Sequence, residues 1–215
     1  MSEGSRTDRE LWNERYRERE HHHGGDPAEI LTANVEWLPA GRALDVATGT
    51  GRNARFLAGQ GYEVDAVDVA DEGLAIARRK AREAGVDVNW IQADLNEFPL
   101  PEETYAVVCV VGYKDLDLLE DLKAALAPGG VLVYEHHLGP AAIADSGPRT
   151  DRFRFRSNAL LRACLDLTVL EYREWTKVSE GEDGTPNRDP RVSLLARNGL
   201  DGEPWYPPAE SYASH

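Results

Sequence analysis

The 215-residue chain is long enough for one well-buried α/β domain and short for two, and its 41% hydrophobic and 29% charged residues are an ordinary globular mixture. No apolar run approaches the roughly 18 residues that a membrane span needs, and a net charge of −14 would repel duplex nucleic acid unless a basic patch stood apart from it. The 20 Arg against 4 Lys suit a high-salt cytoplasm, and a GC-rich genome would favour the same bias. Cys109 and Cys164 sit in apolar surroundings and read as buried thiols of a reducing compartment. Met1 to Glu20 is polar and charged, with no apolar core of a secretory leader, so the expected location is the cytoplasm.

In chain order, residues 9–20 predict a helix with Leu11, Trp12 and Tyr16 on one apolar edge. Asp26 and Pro27 open a second helix running to about Trp37. An alternation follows: strand 43–47, helix 53–59, strand 63–69, helix 71–84, strand 88–93, strand 105–111, helix 116–126, a Pro128-Gly129-Gly130 turn and strand 131–136. Strands spaced by helices mean βαβ units and a parallel sheet. Residues 141–156 read as a polar loop, and Ser157 as the cap of a helix over 158–165. Strands 167–175 and 192–197 then form an antiparallel hairpin. The division is a helical cap over 1–41, a main domain over 42–200 and a loose tail over 201–215.

The chemistry concentrates in Leu44-Asp45-Val46-Ala47-Thr48-Gly49-Thr50-Gly51-Arg52-Asn53, where a strand turns into a helix. Gly49 and Gly51 let the backbone turn tightly and approach a ligand, and the helix behind offers free N–H groups. Such a glycine pair alone is common in structural turns. Asp68 ends the next strand, where an acid accepts both hydroxyls of a ribose. Asp94 follows the third strand, placed to accept from an adenine amino group, with Leu95 beside it to cover the ring. Any one of these acids could simply cap a helix. Three in a row at the carboxyl ends of consecutive strands mark a ligand edge.

These segments resemble the Rossmann-like S-adenosylmethionine-dependent methyltransferases, strongly over residues 42–138 and loosely beyond. The glycine string matches with Ala47 in place of the first glycine, and Leu126-Ala127-Pro128-Gly129-Gly130 matches the turn before the fifth strand. Trp12-Asn13-Glu14-Arg15-Tyr16 and Gly51-Arg52-Asn53 are similar to the tellurite-resistance and thiopurine group of small-molecule methyltransferases. Quinone-pathway methyltransferases share Asp-Val-Ala-Thr-Gly-Thr-Gly. The resemblance implies a Rossmann-like, seven-stranded, mostly parallel sheet with helices on both faces and a C-terminal antiparallel hairpin. It implies S-adenosylmethionine as cofactor and S-adenosylhomocysteine as product, held by Trp12, Tyr16, Asp45, Ala47, Gly49, Gly51, Asn53, Asp68, Val69, Asp94, Leu95 and Val111.

The implied reaction is methyl transfer to a small-molecule acceptor, a thiol or metalloid oxyanion being favoured, by a monomer or homodimer without nucleic-acid or membrane partners. In-line displacement at a sulfonium methyl asks mainly for alignment and a dry site. Tyr113 is placed to gate the site or touch the nucleophile, or simply to pack. His136 and His137 end the fifth strand; His137, slightly nearer the rim, is the candidate base, with a surface pair as the plain alternative. A soft anion needs no base. His21-His22-His23 lacks further ligands at suitable spacing, so no metal site is expected. Arg149, Arg152, Arg154 and Arg156 form one basic cluster, a lid for an anionic acceptor or merely an edge balancing the acidic surface.

Two other functions compete. Gly49-Thr50-Gly51-Arg52-Asn53-Ala54 satisfies a dinucleotide-binding fingerprint with Asp68 near the expected distance, but Asp94 has no role in that scheme. A non-catalytic S-adenosylmethionine binder would show an acceptor side blocked by bulky side chains.

Overall fold

The computed structural model describes residues 7–18, 25–180 and 184–199. The expected tail over 201–215 and the His21–His23 run lie outside these residues. The elements are α1 (Asp8–Glu18), α2 (Glu29–Asn34), β1 (Arg42–Val46), α3 (Arg52–Gly59), β2 (Glu63–Asp68), α4 (Asp71–Ala84), β3 (Asn89–Gln92), β4 (Tyr105–Val111), α5 (Leu119–Ala124), β5 (Leu126–His137), α6 (Ala159–Ala163), β6 (Thr168–Glu180) and β7 (Pro186–Arg197). Seven strands form one sheet in the order β3-β2-β1-β4-β5-β7-β6. β1 to β5 run parallel, and β7 lies antiparallel between β5 and β6. The expected doubly covered sheet with its late hairpin is therefore present.

The strands alternate their side chains between two apolar layers. Leu44, Val46, Val108, Val110, Leu132 and Tyr134 face α5, α6 and Phe155. Ala43, Val107, Cys109, Val131, Val133 and Leu195 face α2 and α3 through Leu31, Ala54 and Leu57. Both cysteines are buried free thiols, and burial pushes Cys164 up to about 12. No described helix is long and apolar enough to cross a membrane.

Several elements differ from the sequence reading. α2 starts three residues late, at Glu29, because the Ala28 amide is spent on the Asn53 side chain, 2.9 Å away, before the helix begins. The Pro128-Gly129-Gly130 turn lies inside β5: Leu126 pairs with Tyr105, and the register shifts before Val131 meets Val107. The helix expected over 116–126 shortens to α5, since the Asp115 carboxylate accepts from the Asp117 and Leu118 amides and turns the chain first. Ser157 caps nothing; its hydroxyl bonds Glu174, and Asn158 enters α6 at φ 60 without a side-chain cap. The hairpin strands run longer than expected, to Glu180 and from Pro186.

The segment 141–156 is not a loose polar loop. Phe155 is fully buried, and the buried Arg154 donates to the carbonyls of Pro148, Leu138 and Ser146. Its charge is spent on stitching the segment to the end of β5. In α1, Leu11 and Trp12 are exposed and the buried side is Asn13 and Tyr16. Asn13 donates to Asp71 at 2.7 Å and accepts from the Glu72 amide at 3.1 Å. It thus caps α4 from another element, where α4's own Ala70 offers no cap. Replacing Asn13 with Ala is expected to cost about 1 kcal/mol in urea unfolding, the usual worth of a helix cap.

Candidate functional site

The sheet reverses its winding between β1 and β4, and a crevice at such a switch point is where open α/β sheets hold ligands. A cavity of about 400 Å³ opens there. It is lined by the loop after β1 (Ala47 to Thr50, and Arg52), by Asp68 and Val69 after β2, by Ala93 to Asn96 after β3, and by Val111 to Tyr113 after β4. Asp8, Trp12 and Tyr16 of α1, with Gly25, close the remaining side.

The loop's shape has identifiable causes. Ala47, Gly49 and Gly51 all have positive φ, at 51°, 58° and 71°. Ala47 thus adopts a left-handed conformation that an L residue tolerates only at a cost. Asp45 lies beneath, 1% exposed, accepting from the Thr48 hydroxyl and from the Ala54 amide at 3.1 Å. It ties the turn to the first residues of α3. Burial pushes its carboxyl up to about 6, against the pull of those two donors, of the Cys109 thiol and of the Arg52 charge.

Asp68 fixes the other side of the loop. One carboxylate oxygen accepts from the Gly49 amide at 2.7 Å and the other from the Ala70 amide at 2.8 Å. Burial raises its pKa, and the backbone donors oppose the rise. Each oxygen keeps a second lone pair for a ligand hydroxyl. Tyr16 wedges against this loop: a Cβ on Gly49 would sit 2.7 Å from its hydroxyl oxygen, and one on Gly73 would sit 2.9 Å from its ring. Trp12 stacks on Tyr16 with centroids 5.9 Å apart. Asp94 turns its own loop, accepting from the amide and side chain of Asn96, while Leu95 is buried beside it.

Of the residues expected to hold a cofactor, Trp12, Tyr16, Ala47, Gly49, Asp68, Val69, Asp94, Leu95 and Val111 line the cavity, and so does Tyr113. Asp45, Gly51 and Asn53 do not; they support it from behind. Gly51 packs on Trp90 and Ala77, and Asn53 holds the start of α2. His137 lies outside the lining, its Nδ1 2.7 Å from Asp189 and its ring 3.3 Å from the Arg191 guanidinium. His136 is turned to the opposite face, bonded to the Phe153 carbonyl at 2.9 Å, and burial pushes it down to about 3. Tyr113 is pushed up to about 12, first by burial and then by Asp115 and Asp94, so its hydroxyl stays protonated.

Sequence reasoning missed Thr48, Thr50, Arg52, Asn96 and Asp8 as lining residues. The first three stand within the glycine string itself and Asn96 two residues past Asp94, so their positions were legible. Asp8 is brought in by α1 docking, which no short motif encodes. Among the described residues no group of three His, Cys, Asp or Glu is placed to hold a metal ion.

The strand order and this edge are those of an open α/β domain with its ligand crevice at the switch point, and residues 43–130 match the family model described as a methyltransferase domain. The demethylmenaquinone methyltransferase of Thermus thermophilus is 41% identical over 99 residues, covering 43% of this chain and 45% of that protein. The ubiquinone/menaquinone biosynthesis C-methyltransferase UbiE of Pasteurella multocida is 27% identical over 175 residues, 77% of this chain and 64% of its own length. Among solved structures, TehB from Haemophilus influenzae superposes with a TM-score of 0.69 at 17% identity, covering 87% of this chain and 67% of that one. The chain thus spans from about half to under two thirds of the length of these sequence relatives, and the structural likeness is one of fold.

Proposed function

We propose that this protein binds S-adenosylmethionine in the cavity and transfers its methyl group to a small molecule. A methyltransferase domain of this fold takes its methyl group from that donor. The carrying observation is Asp68, which grips the Gly49 amide while lining the cavity between the glycine loop and Asp94. The residues present fit the donor. Asp68 suits the ribose hydroxyls, Asp94 and Asn96 a base edge, Leu95 and Val69 its flat face, and the bare Gly49 backbone a close approach.

When bound, the donor supplies an electrophilic methyl on a positively charged sulfur. The chain's part is to align it, with α1 excluding water on one side through Trp12 and Tyr16. No histidine or lysine lines the cavity among the described residues, and the Tyr113 hydroxyl is not a base at neutral pH. This favours an acceptor that arrives as a soft anion, a thiolate or a metalloid oxyanion, as in the tellurite-resistance group. A second reading, a quinol carbon as acceptor, is favoured by the names of the relatives in sequence; the exposed carboxylate of Asp8, which lines the cavity and is not assigned to the donor, is then the base at hand.

Calorimetry with S-adenosylhomocysteine tests the donor site. The native chain should bind in the micromolar range, and Asp68→Ala, losing one or two charge-assisted bonds, should bind about ten- to a hundredfold more weakly. NAD binding in place of S-adenosylhomocysteine would overturn the proposal. Turnover of a thiol panel against a reduced naphthoquinone then separates the two acceptors, and tight donor binding without turnover of any acceptor would make the chain a non-catalytic binder.

A further inference from the structure

β6 is the outermost strand on its side of the sheet: it pairs with β7 along one edge and, among the described residues, with no strand along the other. We infer that this free edge pairs antiparallel with β6 of a second copy of the chain, about a two-fold axis at Thr176, so that two seven-stranded sheets join into one.

The bonding of β7 fixes which groups of β6 are free. The Pro190 carbonyl accepts from the Leu138 amide at 2.8 Å. The Arg188 carbonyl accepts from the Asp145 amide at 2.8 Å, and the Arg188 amide donates to the Asp145 carboxylate. Both residues thus spend their main chain on the side away from β6. In an antiparallel ladder a residue directs its N–H and C=O to one side, so their partners Thr176 and Val178 direct theirs outward. The alternation extends this to Tyr172, Glu174 and Glu180. Among the described residues none of these amides or carbonyls is taken by the main chain of a loop or helix. Such a row is a template for a further strand.

The register follows from where regular pairing stops. A bulge between Val169 and Glu171 interrupts it at one end, and β6 finishes at Glu180 at the other. The run between, 172–180, has its midpoint at Thr176. Pairing about that midpoint sets Thr176 opposite the partner's Thr176, Trp175 opposite the partner's Lys177, Arg173 opposite the partner's Ser179 and Glu174 opposite the partner's Val178. No like charges meet. An axis at Trp175 would set Arg173 against Lys177, and one at Glu174 would set that carboxylate against itself. Lys177, a charge that discourages association on a lone edge, gains an indole face instead. One strand pair is small for an interface, so a dissociation constant in the tens of micromolar is expected. The charge of −14 on each copy opposes association, and added salt should tighten it.

Sedimentation of the full chain across the micromolar range, in added salt, reads the dimer. Thr176→Pro removes one outward N–H and leaves the pair with Pro190, which uses none, so it should weaken association at least about tenfold. Thr176→Val keeps that N–H and should associate within about twofold of the native chain. Proline is tolerated on an edge strand, and thermal unfolding by circular dichroism should match the native chain. A cross-link reads the pairing independently of the proline variant. Thr176→Cys faces its own copy with about 5.5 Å between Cα atoms, within disulfide reach, and should give a covalent dimer on oxidation. Val178→Cys, about 14 Å from its copy, should not. Cys109 and Cys164 are buried and do not compete. A native chain that stays monomeric over this range, a Thr176→Pro protein that associates as tightly as the native one, or cross-linking at 178 and not at 176 would overturn the inference.

Discussion

Replacing Gly51 with Ala should destabilise the protein by about 2–5 kcal/mol and strip it of donor binding. Two costs add. Gly51 sits at φ 71°, where an L side chain loses about 1–2 kcal/mol. The new methyl would also stand 2.7 Å from Trp90 Cζ3 and 3.0 Å from the Ala77 Cβ. Relieving that contact means moving a Trp on β3 or a turn of α4, and overpacking of this kind costs about 1–3 kcal/mol. The displaced elements carry the acids on either side: Asp68 just before α4 and Asp94 just after β3. Urea unfolding measures the loss. The partition is measurable too, because Trp90→Leu in the Gly51→Ala background should recover the steric part and leave the left-handed part. A variant within 0.5 kcal/mol of the native chain would show that the loop repacks freely and is not the rigid cradle described above.

The tight fit behind Gly51 bears on what could be read in advance. β4 was legible because its apolar run is continuous, as burial on both faces requires, and it matches the expected 105–111 to the residue. α4 also matches the expected 71–84, closed by a left-handed Gly85. The lining of the cavity was legible where short range sufficed: the glycine string, and an acid at or just past the end of a strand. It was not legible where a side chain works at a distance. Asn53 was read as touching the cofactor, yet it satisfies an amide 25 residues upstream. Asn13 and Tyr16 dock α1 by contacts to residues more than 30 positions away, which a local pattern cannot register. Arg154 looked like part of a free basic cluster because its three carbonyl partners belong to the loop's path and not to its composition. His137 was placed correctly at the end of β5, but its partners Asp189 and Arg191 come from β7, so the residue expected to act as a base is engaged in a network between strands.

Asp45→Asn should remove a pH dependence of stability between about pH 4 and pH 7. In the unfolded chain this carboxyl ionises near 3.9. In the fold, burial pushes it to about 6. Between those values the native state holds the proton and the unfolded state does not. The stabilisation linked to Asp45 is therefore fully present below about pH 4 and is lost as pH rises through about 6. Asn offers one carbonyl oxygen to the Thr48 hydroxyl and the Ala54 amide and never ionises. Relative to Asp45→Asn, the native chain should accordingly lose up to roughly 3 kcal/mol on going from pH 4 to pH 7. Asp68, also raised by burial, is common to both proteins and cancels in the difference. Urea unfolding of the pair at half-unit steps of pH gives the curve directly. A flat difference would mean that Asp45 is ionised throughout, held so by its hydrogen-bond donors. The predicted slope would mean that at neutral pH the chain carries a buried charge at a net cost, and that the cost is borne where it shapes the loop meeting the ligand.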